Sequence, residues 1–142
     1  MEAFDVLREA NRENFHRIWE AAKEGRALSR EEKRFADAMR AHPEHHNTWE
    51  FSDVVGPAPY EIDGVNPFMH IVAHVIIETQ LDEGSPPEAA KALERLRGNG
   101  MDRHQAVHQI AGLMFELMFP ILKEGKAFDS ERYRKRLRRL GR

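Results

Sequence analysis

The sequence predicts an all-α fold, an irregular bundle of five or six helices with one long loop at about residues 52–66. Three observations lead there. Apolar residues recur at mixed three- and four-residue spacings along most of the chain. Helix start signals occur at several separate points. Only "FSDVVG" has strand character, and it is too short and isolated to found a sheet.

The elements follow in order. Residues 3–24 place Phe4, Leu7, Phe15, Ile18, Trp19 and Ala22 on one stripe, an amphipathic helix. "SREE" at Ser29–Glu32 is a capping box and opens a helix to about His42, since Pro43 disfavours helical backbone in the residue before it. "PEHHNTWEF" predicts a short further helix with Pro43 in its first turn. Residues 52–66 hold Gly56, Pro57, Pro59, Asp63 and Gly64 and read as the loop. Asn66–Pro67 then resembles an N-cap followed by proline at the first helical position, opening a helix over 67–81. "SPPE" at Ser85–Glu88 repeats that logic for a helix ending near Gly98–Gly100. Asp102 with Gln105 starts the next helix, which runs to at least Met118 before Pro120 kinks or ends it. Ser130 is read as the cap of a final basic helix. Trp19, Trp49 and the methionine-rich "GLMFELMF" read as packing residues.

Length and composition bound the function. At 142 residues the chain is read as one domain. With 41% hydrophobic and 32% charged residues, it is too apolar for disorder. No apolar run reaches the 18 or so residues that span a membrane, and Met1 begins a polar segment without a signal-peptide core, so a cytoplasmic location is expected. Without cysteine there are no disulfides or thiolate metal sites, and any metal must be held by imidazole and carboxylate. The net charge of −2 hides an asymmetry: residues 130–142 carry seven basic side chains and one acidic one. Such a segment either folds back on the acidic remainder or meets nucleic acid or another anionic partner.

The histidines carry the chemistry. "NPFMHIVAHVIIETQ" puts His70 and His74 in the most hydrophobic segment, four residues apart and so on one helix face, with Glu78 one turn further. His104 and His108 repeat the spacing in a second apolar helix, and His42 and His46 repeat it near Pro43. Eight histidines scattered at random would give about 0.4 such pairs, against three present. Burying an imidazole without partners costs on the order of 1–3 kcal/mol, so two pairs on apolar helices need a common explanation. Coordination supplies one, because neutral imidazole binds Zn, Fe and Ni. His70, His74, His104 and His108 are the expected ligands of a divalent transition metal (Zn, Fe, Ni or Mn). His46, Glu78 and Glu116 stand behind them as further ligands or supporting partners. The H-E-x-x-H protease motif is absent, as are a phosphate loop and a nucleophile motif, so the sequence does not decide between binding and catalysis.

"HPEHH" at 42–46, "NPFMHIVAH" at 66–74 with Gln80, "PP" at 86–87 and His104-x-x-x-His108 with Glu116 together resemble a bacterial family known as domain of unknown function 1841. The resemblance implies that "HPEHH" groups with the other two pairs and that His42 or His46 joins the cluster. It names no reaction. Two other readings stand beside the metal site: an interaction module working through the basic C-terminal helix, and a helical homo-oligomer whose histidines are structural.

Overall fold

The structure, a computed structural model, describes residues 12–50 and 67–142. The loop at 52–66, the strand-like "FSDVVG", the Asn66 cap and the first turns of the N-terminal helix lie outside the described residues. The described residues form seven α-helices, one short 3₁₀ turn and no strand. The count exceeds the expected five or six by one, although each of the seven lies in a segment that the sequence reads as helical.

The chain divides into two compact units, Met1–Val75 and Ile76–Arg142, with the division inside a helix. In the first unit, α1 (Arg12–Lys23) packs on α2 (Arg30–Arg40) and α3 (His46–Glu50), and the 3₁₀ turn Pro43–His45 joins α2 to α3. Helix α2 starts where the sequence places it. The Ser29 hydroxyl accepts from the Glu32 amide and the Glu32 carboxylate accepts from the Ser29 amide. An Arg17–Glu32 ion pair and an Arg40 guanidinium on the Ala22 carbonyl (3.1 Å) tie α2 to α1. Four aromatic rings make the centre of this unit. Phe15 stacks on Trp49 at 5.6 Å and meets Phe35 and Phe68 edge-on at 5.6 and 5.1 Å, arrangements that suit the ring quadrupoles. Phe68 is the second residue of α4 (Pro67–Glu83), so this cluster fixes the start of the histidine-bearing helix against the rest of its unit.

Helix α4 is apolar around all but the stripe that carries His70, His74 and Glu78: Phe68, Ile71, Val72, Ala73, Val75, Ile76 and Ile77 are all buried. It gives way at Gly84, whose φ of 67° is a left-handed conformation that glycine adopts without steric cost. There the Ser85 amide reaches the Gln80 carbonyl at 3.1 Å and the Gly84 amide reaches that of Leu81, so orphan carbonyls at the helix end are satisfied.

In the second unit α5 (Pro87–Gly98), α6 (Arg103–Glu124) and α7 (Ser130–Arg139) pack on one another. Three start or stop signals differ from expectation by small shifts. Pro86, not Ser85, is the N-cap of α5, and no side chain caps it; Pro87 then takes the first helical position. The carboxylate of Asp129, not the Ser130 hydroxyl, caps α7 by accepting from the Arg132 amide at 3.0 Å. It is a stronger acceptor placed one residue earlier. Helix α6 does not end at Pro120; it continues to Glu124. A proline costs one backbone hydrogen bond and about 3 kcal/mol in a helix interior. The apolar face of α6, with Ala106, Val107, Ile110, Ala111, Met114, Leu117 and Met118 buried, outweighs that. The Asp102–Gln105 start is as expected, each side chain accepting from the other's amide.

Two buried residues anchor the basic helix. Tyr133 and Leu137 are 2% and 0% exposed, and the Tyr133 hydroxyl donates to Gln80 Oε1 at 2.6 Å. Burial without charge compensation pushes the Tyr133 phenol well above its ordinary value, against the weaker opposing effect of that hydrogen bond. Arg95 on α5 donates to the carbonyls of Leu137 and Leu140, capping the end of α7.

Candidate metal centre

The first unit gathers three imidazoles. His70 and His74 share a face of α4, with ring centroids 4.8 Å apart, as four-residue spacing on a helix requires. His42, at the entry to the 3₁₀ turn, closes on both: its ring lies 4.8 Å from each. Each of the three offers a ring nitrogen, and those nitrogens lie within 4.8 Å of one another. His42 and His74 are each 4% exposed, and His70 is half-buried.

The His42 ring is oriented from behind. Its Nδ1 lies 2.7 Å from the Ala38 carbonyl oxygen. A carbonyl can only accept, so Nδ1 carries the proton, and in the neutral ring Nε2 presents its lone pair. That Nε2 lies 3.1 Å from His70 Nε2. Two imidazole nitrogens on one tetrahedral ion, each about 2.05 Å from it, stand roughly 3.3 Å apart. The observed pair is already near that separation. A backbone carbonyl behind a ligating histidine is also the usual second partner at such sites. Donor type, spacing and the partner behind the ring therefore fit a borderline divalent cation such as Zn, Fe or Ni.

The 3₁₀ turn explains why His42 takes part. In a 3₁₀ helix residues i and i+3 eclipse. His42 accordingly sides with His45 at 6.5 Å, the rings inclined by only 20°. His46 instead turns to α1, with its ring 4.9 Å from that of Trp19. Beside the cluster stands Glu44, exposed on the same turn. Partial desolvation raises its carboxyl, but its own backbone amide and the charges of His42, His45 and His70 outweigh that and hold it below the usual glutamate value. The Nδ1 of His45 and the Nε2 of His46 are buried and find no hydrogen-bond partner among the described residues.

The other expected residues belong to the second unit. His104 and His108 share a face of α6, rings stacked 5.9 Å apart at 22°, but both are exposed. The buried side of α6 is the one carrying Ala106, Val107 and Ile110, so the desolvation argument made for two pairs holds only for His70 and His74. The carboxylate of Glu78 is gripped at both oxygens by Arg103, at 2.8 and 2.9 Å. Glu116 accepts from Arg136 at 3.0 Å and lines a shallow recess with His108, Gln109 and Gly112. A spacing of four pairs His42 with His46 and gives no signal for His45 or Glu44. The signal that points to the turn is Pro43 itself, which favours a tight conformation where the relevant spacing is three.

Fold and site together define a small protein, all-helical over its described residues, with a histidine cluster built on a 3₁₀ turn and a buried helix. The chain belongs to the DUF1841 family, described as a domain of unknown function: the model of that family matches residues 7–139. Comparison with curated proteins and with solved structures gave no match in either. Among the described residues no helix is long and apolar enough to cross a membrane.

Proposed function

We propose that the protein binds a divalent transition metal through His42, His70 and His74. The observation that carries this reading is the 2.7 Å separation of His42 Nδ1 from the Ala38 carbonyl oxygen, which fixes the tautomer of the ring. The Ala38 carbonyl accepts a hydrogen bond from Nδ1–H, which leaves an Nε2 lone pair 3.1 Å from His70 Nε2, with His74 beside them. Three imidazoles give a neutral donor set, so a bound divalent ion keeps its full charge. With a water in a remaining position it would supply a nucleophile near neutral pH or a Lewis acid. The residues around it hold and orient rather than react: Ala38 fixes His42, and the α4 backbone fixes His70 relative to His74. Glu44 supplies the nearby negative charge, and His45 lines the same turn. The pair His104 and His108, with Glu78 and Glu116, remain proposed contributors on the strength of their spacing in the sequence.

The test is elemental analysis of untagged protein, followed by thermal melts with and without a chelator. Near-stoichiometric zinc, iron or nickel and a melting temperature lowered by chelation are expected. Protein free of metal, and unchanged by added zinc, nickel or ferrous iron, overturns the reading.

A further inference from the structure

The charge asymmetry of the chain resolves into two different roles once the partners of each arginine are known. Helix α7 folds onto its own unit through Tyr133 and Leu137, and three of its arginines are tied to carboxylates there. Arg136 pairs with Glu116 and Arg138 with Glu88, at 3.0 and 3.3 Å, while Arg134 pairs with Glu131. Arg132, Lys135 and Arg139 have no side-chain partner among the described residues, and all three are exposed. At roughly 100° per residue they fall within about 60° of one another on the wheel, a stripe roughly 10 Å long. Elsewhere in the same unit Lys91, Arg95, Arg138 and Arg142 surround a recess that holds a single carboxylate, Glu88. The second unit carries thirteen basic and ten acidic side chains, whereas residues 1–75 carry nine and fourteen. The positive face is thus local, and not a property of the whole chain.

We propose that this outer face of α7 binds the phosphate backbone of nucleic acid, independently of the metal site. A run of about 10 Å covers about three base-pair steps of about 3.4 Å, and two of the three free cations are arginines, whose planar fork suits phosphate. A lipid surface suits the helix less well. An interfacial helix inserts its apolar face, and here that face, Tyr133 and Leu137, is already buried in the protein. Contacts of this kind read charge and not sequence, and they release counterions as they form.

The experiment measures binding of the full chain to a labelled duplex DNA oligonucleotide by fluorescence anisotropy between about 50 and 200 mM salt. Anionic phospholipid vesicles and polyglutamate serve as competitors. Wild type is expected to bind at micromolar concentrations at the low-salt end. The triple variant R132Q/K135Q/R139Q should weaken binding at least tenfold and reduce the slope of log K against log salt by about 2.7, at about 0.9 per lost phosphate contact. These three side chains are exposed and unpartnered among the described residues, so the variant keeps its circular dichroism and melting temperature. K33Q, which removes an exposed cation of the first unit, should leave binding unchanged. Absence of wild-type binding, an unchanged triple variant, an equal loss in K33Q, or competition by vesicles or polyglutamate as effective as unlabelled DNA would each overturn the proposal.

Discussion

Replacing His70 by alanine gives the sharpest separation between a ligand and a merely packed ring. His70 is only half-buried, so its truncation leaves less of a void than the loss of His42 or His74, and the comparison rests on a difference between melts and not on either alone. Both tryptophans, Trp19 and Trp49, lie in the first unit and are buried, so their fluorescence reports the unit that holds the cluster. With free zinc held at about one hundred times the wild-type dissociation constant, binding stabilises the folded state by about 2.7 kcal/mol. For a unit of this size each kcal/mol moves the midpoint by about 4–8 °C, so the tryptophan transition should rise by about 10–20 °C. Loss of one of three imidazoles weakens affinity at least as much as disturbing the group behind a ligand, on the order of a hundredfold. At the same zinc concentration His70→Ala then gains only about 0.4 kcal/mol, a shift of about 2–3 °C. A zinc-induced shift in the variant equal to that of wild type would refute the assignment, whatever the variant's own stability.

The remaining predictions concern the frame. Gly112 is exposed in the interior of α6, and a Cβ built there meets nothing within 4 Å. Gly112→Ala should therefore stabilise by about 0.5–1 kcal/mol in a urea melt. Tyr133→Phe should cost about 1 kcal/mol through the lost hydrogen bond to Gln80, whereas Tyr133→Ala should cost about 3–5 kcal/mol. Because burial raises the Tyr133 phenol, its contribution is intact below the unfolded value of about 10 and is lost as pH rises beyond it. Alkaline titration followed by ultraviolet absorbance should show one tyrosine ionising only as the protein unfolds. Ser29→Ala should cost about 1 kcal/mol by removing the α2 cap. The Glu32 carboxyl is held low, first by the Ser29 amide and then by Arg17. Its contribution is therefore present above the ordinary glutamate value and lost as pH falls through the lower folded one, and the acid limb of the stability curve should flatten in Glu32→Gln.

Much of this frame is legible in the chain because its signals are local. The Ser29–Glu32 box, the Asp102–Gln105 box and the Gly98–Gly100 stop each act within five residues, and the structure forms them at those places. The differences are of another kind. Ser130 loses the α7 cap to Asp129 because two adjacent residues compete for one helix end and the charged acceptor wins. Pro120 fails to stop α6 because tertiary burial of that helix exceeds a local penalty. His70 and His74 are legible as a pair because helical geometry fixes which side chains face together. The place of His42 depends on a 3₁₀ turn, and at Pro43 the sequence allows either that or an α-helical turn.

The His42–His70 contact at 3.1 Å has two physical readings, and they differ in where protons sit. Without a metal, two neutral rings this close share one proton: His42 Nε2 has the lone pair, so His70 Nε2 must carry the hydrogen and donate it. With a metal, both Nε2 atoms would hold the ion through their lone pairs, and the His70 proton would sit at Nδ1. His42 is set for the second state in advance, because the Ala38 carbonyl holds its proton at Nδ1 in either case. Long-range ¹⁵N–¹H spectra of labelled protein distinguish these states directly. Chelated protein should show His42 protonated at Nδ1 and His70 at Nε2. Zinc should leave the His42 tautomer unchanged while converting His70 to the Nδ1-protonated form, and binding should weaken as acid protonates the rings. If zinc leaves the His70 tautomer where it was, the short contact is a hydrogen bond between core side chains and the cluster is part of the packing. A His70 that changes tautomer only when zinc is added identifies a ligand, because nothing else in that experiment displaces its Nε2 proton.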